Sequence, residues 1–148
     1  MAAGSTTVSQ AAGARNVPKG AIVLLGRLLY VLIFLMAAPN DFTKQSIAYA
    51  ASQGAPLALI GVPLMGVISL VGGLSILLGY RAKIGAWLIV LFLVLVTPIM
   101  HKFWGVADPN MAQVQMIMFM KNLSMVGGAL LITQFGAGPL SLDARRSR

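Results

Sequence analysis

Four apolar runs constrain this chain more than anything else in it. Ala21 to Ala38, Leu57 to Leu78, Ile84 to Met100 and a less uniform stretch between Met111 and Phe135 succeed one another along the sequence. Each is about 17 to 25 residues, the length at which an α-helix crosses a hydrocarbon core of about 30 Å. Hydrophobic residues make up 58% of the chain and charged residues 9%, where a soluble domain carries about 25% charged residues. So few charges cannot cover a water-facing surface, and the solvent for most of the chain is lipid. The fold expected is all-α: an integral membrane four-helix bundle with spans at about 21–38, 57–79, 84–100 and 113–135. Residues 1–20, rich in Ala, Gly, Ser and Thr, read as a mobile tail, residues 21–136 as the membrane bundle and residues 137–148 as a polar tail. The first run has some features of a signal peptide, but Arg27 interrupts it and its lead-in is long.

The net charge of +8 comes from eleven Lys and Arg against three Asp. The basic residues flank the apolar runs, where they set topology and meet anionic lipid head groups. No basic patch with interleaved aromatics points to nucleic acid. With four spans, Arg15, Lys19, Arg81, Lys83, Arg145, Arg146 and Arg148 fall on one side and Lys44 and Lys102 on the other. That bias predicts both termini in the cytoplasm. The chain has no cysteine and one histidine, which excludes disulfides, thiol redox chemistry, iron–sulfur clusters and bis-His haem within one chain. The methionines of the fourth span read as gap-filling in a helical interface rather than as copper ligands.

The two outer connections carry structure of their own. Asp41 to Gln53 predicts a short helix, capped by Asn40 or Asp41 and ended by Gly54. Asp108-Pro109 predicts an N-cap with proline at the first helical position, so the fourth helix starts there and stands above the bilayer. Gly26 to Pro39 is matched in spacing by Gly85 to Pro98, and Ser69-Leu70-Val71-Gly72-Gly73 by Ser124-Met125-Val126-Gly127-Gly128. Two parallel helical-hairpin repeats would give this pattern; so would chance in apolar sequence. The small residues at spacing four predict that the second and fourth spans pack through Gly73 and Gly128.

Ionisable groups within spans are costly, about 2.5–3.5 kcal/mol at the centre. Arg27 and Lys121 stand out. Arg27 is expected to snorkel to lipid phosphate or to bind a helix end. Lys121 is expected to turn into the bundle and pair with Asp41, with His101, Asn122 and Trp104 gathered at the same outer mouth. Such a cluster reads either as a binding pocket for a quinone head group or similar ligand, with His101 exchanging a proton, or as a structural polar clasp with Trp104 as interfacial anchor.

Several segments together resemble the DoxX family. They are Gly26-Arg27-Leu28-Leu29, Gly72-Gly73 followed by Leu77-Leu78-Gly79, His101-Lys102-Phe103-Trp104, Phe119-Met120-Lys121-Asn122-Leu123-Ser124 with Gly127-Gly128, and Gly138-Pro139-Leu140-Ser141-Leu142-Asp143. The resemblance covers residues 20 to 143. It implies a four-helix bacterial membrane protein, with relatives that include the small membrane subunit of a thiosulfate:quinone oxidoreductase. The chain departs from that pattern at Ser69, where many relatives have Glu, and at Pro39-Asn40-Asp41, where many have Gly and Lys. A role resting on that Glu does not carry over. The function this implies is a non-catalytic membrane subunit or anchor of a quinone-linked oxidoreductase, with quinone as the one cofactor and a redox subunit as partner beside the bilayer. The alternative is a stand-alone small-solute or lipid-handling membrane protein with no redox role. Either is compatible with a homo-oligomer.

Overall fold

In lipid every backbone N–H and C=O must find its partner within the protein, and for runs of this length the helix is the form that does so. The computed structural model describes residues 6–146, with side chains from Gly20 onward. Its helices are α1 (Thr6–Ala37), α2 (Lys44–Ser52), α3 (Ala58–Leu78), α4 (Ala82–Met100), α5 (Pro109–Phe135) and α6 (Leu142–Arg146), with 3-10 turns at Ala38–Phe42 and Phe103–Gly105. Four segments are long and apolar enough to cross a membrane: Gly20–Phe42, Ala58–Leu78, Ala82–Gly105 and Pro109–Phe135. The expected all-α, four-span bundle is what forms. The segment expected as a tail over residues 1–20 is helical from Thr6 and runs unbroken into the first span. Residues 1–5 and 147–148, Arg148 among them, lie outside the described residues.

Helix ends show where local chemistry was readable. At α5, the Asp108 carboxylate accepts from the N–H groups of Asn110 and Met111, and Pro109 takes the first helical position. The helix has 27 residues, about 40 Å at 1.5 Å each, longer than the hydrocarbon core. At α2 the cap is Thr43, whose Oγ1 accepts from Ser46 N at 3.2 Å, and not Asn40 or Asp41. Pro39 starts a 3-10 turn that absorbs both residues, and the Asn40 carbonyl is taken by the Thr43 N–H. Gly54, at φ +83°, ends α2 as expected.

The helices pack in the order α1, α3, α4, α5, with α2 lying against α3. Val31, Phe34, Ile76, Ala86, Ile89, Leu93 and Ala129 form the buried core. Leu59, Leu131 and Phe135 are among many large apolar side chains on the outside, as a lipid-facing surface requires.

The α3 and α4 backbones approach closely. A Cβ on Gly72 would stand 2.9 Å from the Gly85 carbonyl oxygen, and one on Gly85 would stand 2.5 Å from the Ser75 side chain. Only glycine at both positions lets these backbones meet. The expected contact between the second and fourth spans does not form. Gly73 faces Leu35 and Gly128 faces Tyr30, both on α1. These glycines open grooves for large side chains of the first helix, and the Tyr30 hydroxyl completes the contact by donating to the Met125 carbonyl of α5 at 2.7 Å. The residues matched in the sequence repeat sit in unlike surroundings: Ser69 is buried and Ser124 exposed, Gly85 is crowded and Gly26 meets nothing within 4 Å.

The end of the bundle that carries the chain termini is tied by the segment after α5. Gly136 and Gly138, both at positive φ, turn the chain back across the α3–α4 connection. Asp143 then accepts from the N–H groups of Arg81 and Ala82, at 2.8 and 3.1 Å, and donates its own N–H to the Gly79 carbonyl at 2.8 Å. Asp143 thus caps α4 from a distance in sequence, and holds Arg81 in the left-handed conformation, φ +47°. Arg27 is buried beneath this segment and donates to the Leu140 carbonyl. It does not snorkel to lipid; its guanidinium lies against Gly79, the C-cap of α3. Arg146 lies over the Tyr80 ring at 4.6 Å; hydrogen bonding and charge from Arg146, with charge from Arg81, hold the Tyr80 phenol below its ordinary range.

Two outcomes follow. Gly72→Leu or Gly85→Leu should destabilise the bundle by about 1–3 kcal/mol or more through overpacking, while Gly127→Leu, whose Cβ meets nothing within 4 Å, should change little. Asp143→Ala, which removes two hydrogen bonds to a charged group, should cost about 2–3 kcal/mol, more than the roughly 1 kcal/mol of Asp108→Ala at an ordinary N-cap. Thermal unfolding in a neutral detergent measures all of these.

Candidate functional site

The residues expected at the outer mouth are all near the end of the bundle opposite the termini, and the polar and ring contacts they make there run to other residues. His101 Nδ1 lies 2.9 Å from Gln115 Oε1, joining the end of α4 to α5. Asn122 is buried and its Nδ2 donates to Thr97 Oγ1 at 3.0 Å, also between α4 and α5. Trp104 is 60% exposed and packs edge-on against Phe103 and Phe119, as an interfacial anchor does. Lys121 is exposed, and among the described residues it makes no ion pair with Asp41. The helical wheel put Lys121 on the face of Met125 and Gly128, and that face is only partly covered, because α1 meets α5 at Tyr30 and not at the height of Lys121. Among the described residues, no hydrogen bond or ion pair joins any two of these five side chains.

Asp41 has a different setting. The 3-10 turn after α1 lays it against Gly66 of α3, so closely that a Cβ on Gly66 would stand 2.8 Å from Asp41 Cβ. Gly66 is the space that Asp41 occupies. From there Asp41 borders a cavity of about 300 Å³ between α2, α3 and α4, at the small end of the range of about 300–1,000 Å³ for ligand cavities. Ser46, Tyr49 and Ala50 of α2 cover its end, Val62 and Met65 of α3 form one wall, and Phe92, Val96 and Met100 of α4 the other. Asp41 is the one charged group in this lining, and its carboxylate has no hydrogen-bond or ion-pair partner among the described residues. Phe92 lies midway along α4, so the cavity reaches from the end of the bundle toward its middle.

The cover is held from the other side. Lys102 Nζ donates to the Gln53 carbonyl at 2.7 Å, at the C-terminus of α2, where a cation also meets the negative end of the helix dipole. Gly54 leaves room for that side chain, whose Nζ would lie 3.6 Å from a Cβ there. Sequence reasoning placed Asp41 at this end but missed the cavity, because the cavity depends on how α2 folds back onto α3. The signals for it were present in Gly61 and Gly66 of α3 and in the apolar stretch from Ile47 to Ala51. No three His, Cys, Asp or Glu residues come together as a metal site among the described residues.

A polytopic bundle with one lone carboxylate on an apolar, partly covered cavity is a membrane protein whose site suits binding a small molecule. Over residues 6–148 the chain matches the SURF4 family, and it belongs to that family. This replaces the DoxX assignment made from the short motifs: glycine pairs and apolar repeats recur across membrane helices, so their order alone did not separate the two families. The chain is 30% identical to Inner membrane protein YphA of Escherichia coli strain K12, over 84% of this chain and 89% of the relative. It is 32% identical to Inner membrane protein YqjF of the same strain, over 82% and 88%. It is 26% identical to ER-derived vesicles protein ERV29 of Saccharomyces cerevisiae, over 86% of this chain but 34% of that protein. No solved structure matches.

The separated contacts give a direct check. Asn122→Leu should destabilise by about 1 kcal/mol, the usual worth of an interhelical hydrogen bond in lipid, whereas Lys121→Met, which removes an exposed cation from a span, should be neutral or stabilising. Detergent-resistance midpoints distinguish the two variants.

Proposed function

We propose that this protein works as a stand-alone membrane protein that holds a small amphiphile, a lipid fragment or apolar solute, in the cavity beneath α2. The observation that carries this reading is the unpartnered Asp41 carboxylate on an otherwise apolar lining. An apolar wall takes the body of such a ligand, and one polar group at the end fixes its orientation. An ionised carboxylate accepts hydrogen bonds and attracts cations, so the matching head group is a donor or an amine. A quinone presents carbonyl acceptors and is a poor match for that carboxylate. No hydrogen bond or ion pair joins the five residues expected to serve it among the described residues, and the apolar lining with one carboxylate favours handling of a solute or lipid over service as a redox anchor.

The inner-membrane relatives support placement in a bacterial inner membrane. The seven-to-two bias of Lys and Arg supports an orientation with the termini, the α3–α4 turn and Asp143 in the cytoplasm and α2 with its cavity on the outer face. Cysteines at Ala144 and Tyr80 should resist a membrane-impermeant thiol reagent in intact cells, while one at Gln45 reacts; labelling at Ala144 would reverse the orientation.

Occupancy of the cavity is tested by native mass spectrometry of protein gently extracted from its own membrane. A low-mass adduct should accompany the wild type. It should be lost in Met65→Trp, which fills the cavity, and weakened about ten-fold or more in Asp41→Asn, the scale of one hydrogen bond to a charged group. An adduct retained in full by both variants would place the ligand elsewhere.

A further inference from the structure

The cavity beneath α2 does not account for a second recess at the opposite end of the bundle. There the start of α4, the end of α5 and the returning segment border an open groove of about 600 Å³. Its floor is apolar, with Ile84 and Phe135, and both are more than half exposed. Its rim carries Arg81 and Lys83, both exposed. The Lys83 stem crosses toward α5, its Cε 3.6 Å from where a Cβ on Gly136 would stand, and its ammonium makes no hydrogen bond or ion pair among the described residues. Arg145 and Arg146 on α6 add two more cations at this end.

The groove's one acid is Asp143, and both of its oxygens are already engaged by the backbone N–H groups of Arg81 and Ala82. It therefore orders the connection beneath the cations and is not free to pair with an added cation. The recess thus combines an apolar floor at the membrane edge with an excess of positive charge above it. That combination matches a molecule with acyl chains and an anionic head, not a soluble anion and not a zwitterion.

We propose that this groove is a binding site for an anionic phospholipid, whose phosphate lies between Arg81 and Lys83 while an acyl chain runs along Ile84 and Phe135. The argument is charge complementarity joined to position. Cations beside an anionic headgroup contribute about 1 kcal/mol each, close to a five-fold change in affinity per charge. The lipid also bridges α4 to α5 across the returning segment, so it should stiffen the same end that Asp143 ties.

The test uses the full chain in a neutral detergent, with phosphatidylglycerol, phosphatidylcholine or inorganic phosphate added and bound lipid read by native mass spectrometry. Phosphatidylglycerol should be retained in preference to phosphatidylcholine, and inorganic phosphate at equal concentration should not displace it. Arg81→Gln with Lys83→Gln should reduce phosphatidylglycerol retention roughly 25-fold and leave phosphatidylcholine retention unchanged. Lys44→Gln, at the far end, should have no effect. Because Arg81 sits in a strained turn, Lys83→Gln alone provides the reading if the double variant does not fold, with roughly a five-fold loss expected. Equal retention of the two lipids, displacement by inorganic phosphate, or undiminished retention in Lys83→Gln would overturn the proposal.

Discussion

The contact between Gly72 and Gly85 sets the geometry of everything else. Two helices in lipid gain little from burying apolar surface against each other, since lipid tails are as apolar as leucine; close packing and specific hydrogen bonds must hold them. Here the α3 and α4 backbones meet where neither helix has a side chain, and the connection from Gly79 to Arg81 is too short to let them part at that end. Asp143 locks that connection by capping α4 from the far side of the chain. The cavity lies toward the other end, where Phe92, Val96 and Met100 of α4 face Val62 and Met65 of α3 across it.

The two ends therefore divide the work. The terminal end is crowded, tied by Arg27, Leu140, Asp143 and the Gly136–Gly138 turn, and rich in cations. The opposite end is built from shorter, amphipathic pieces: α2, the two 3-10 turns and the start of α5. Its polar contacts, Lys102 to Gln53, His101 to Gln115 and Asn122 to Thr97, each join two neighbours and stop there. Among the described residues no hydrogen bond links these three pairs, so α2 is held over the cavity by few bonds. Segments held in this way are drawn from the less stable part of a fold and are the ones that move to admit a ligand.

Much of the fold was legible in the sequence because lipid imposes a simple rule. Runs of about 20 apolar residues had to be helices, and Asp108-Pro109 and Gly54 marked ends by local chemistry alone. Thr43 displaced Asn40 and Asp41 as a cap because Pro39 committed them to a turn first. The site was less legible for a physical reason. Periodicity places Lys121 and Gly128 on one face of α5, but whether that face is covered depends on where α1 crosses, and Tyr30 fixes the crossing below Lys121. In the same way Gly73 and Gly128 were read as partners for each other, when each accommodates an α1 side chain. Asp143 was the missed signal: the single acid among the basic residues of the terminal end, behind two glycines and a proline that turn the chain back.

The reading of this protein as a ligand-binding membrane bundle rests on what fills the space beside Asp41. An experimental structure of the protein in nanodiscs, purified from its own membrane without added ligand, addresses that most directly. Elongated non-protein density running from Phe92 toward α2, with its polar end within hydrogen-bond distance of the Asp41 carboxylate, is the expected result. A closed gap filled by α2 side chains, with Asp41 turned out to bulk water, would contradict it.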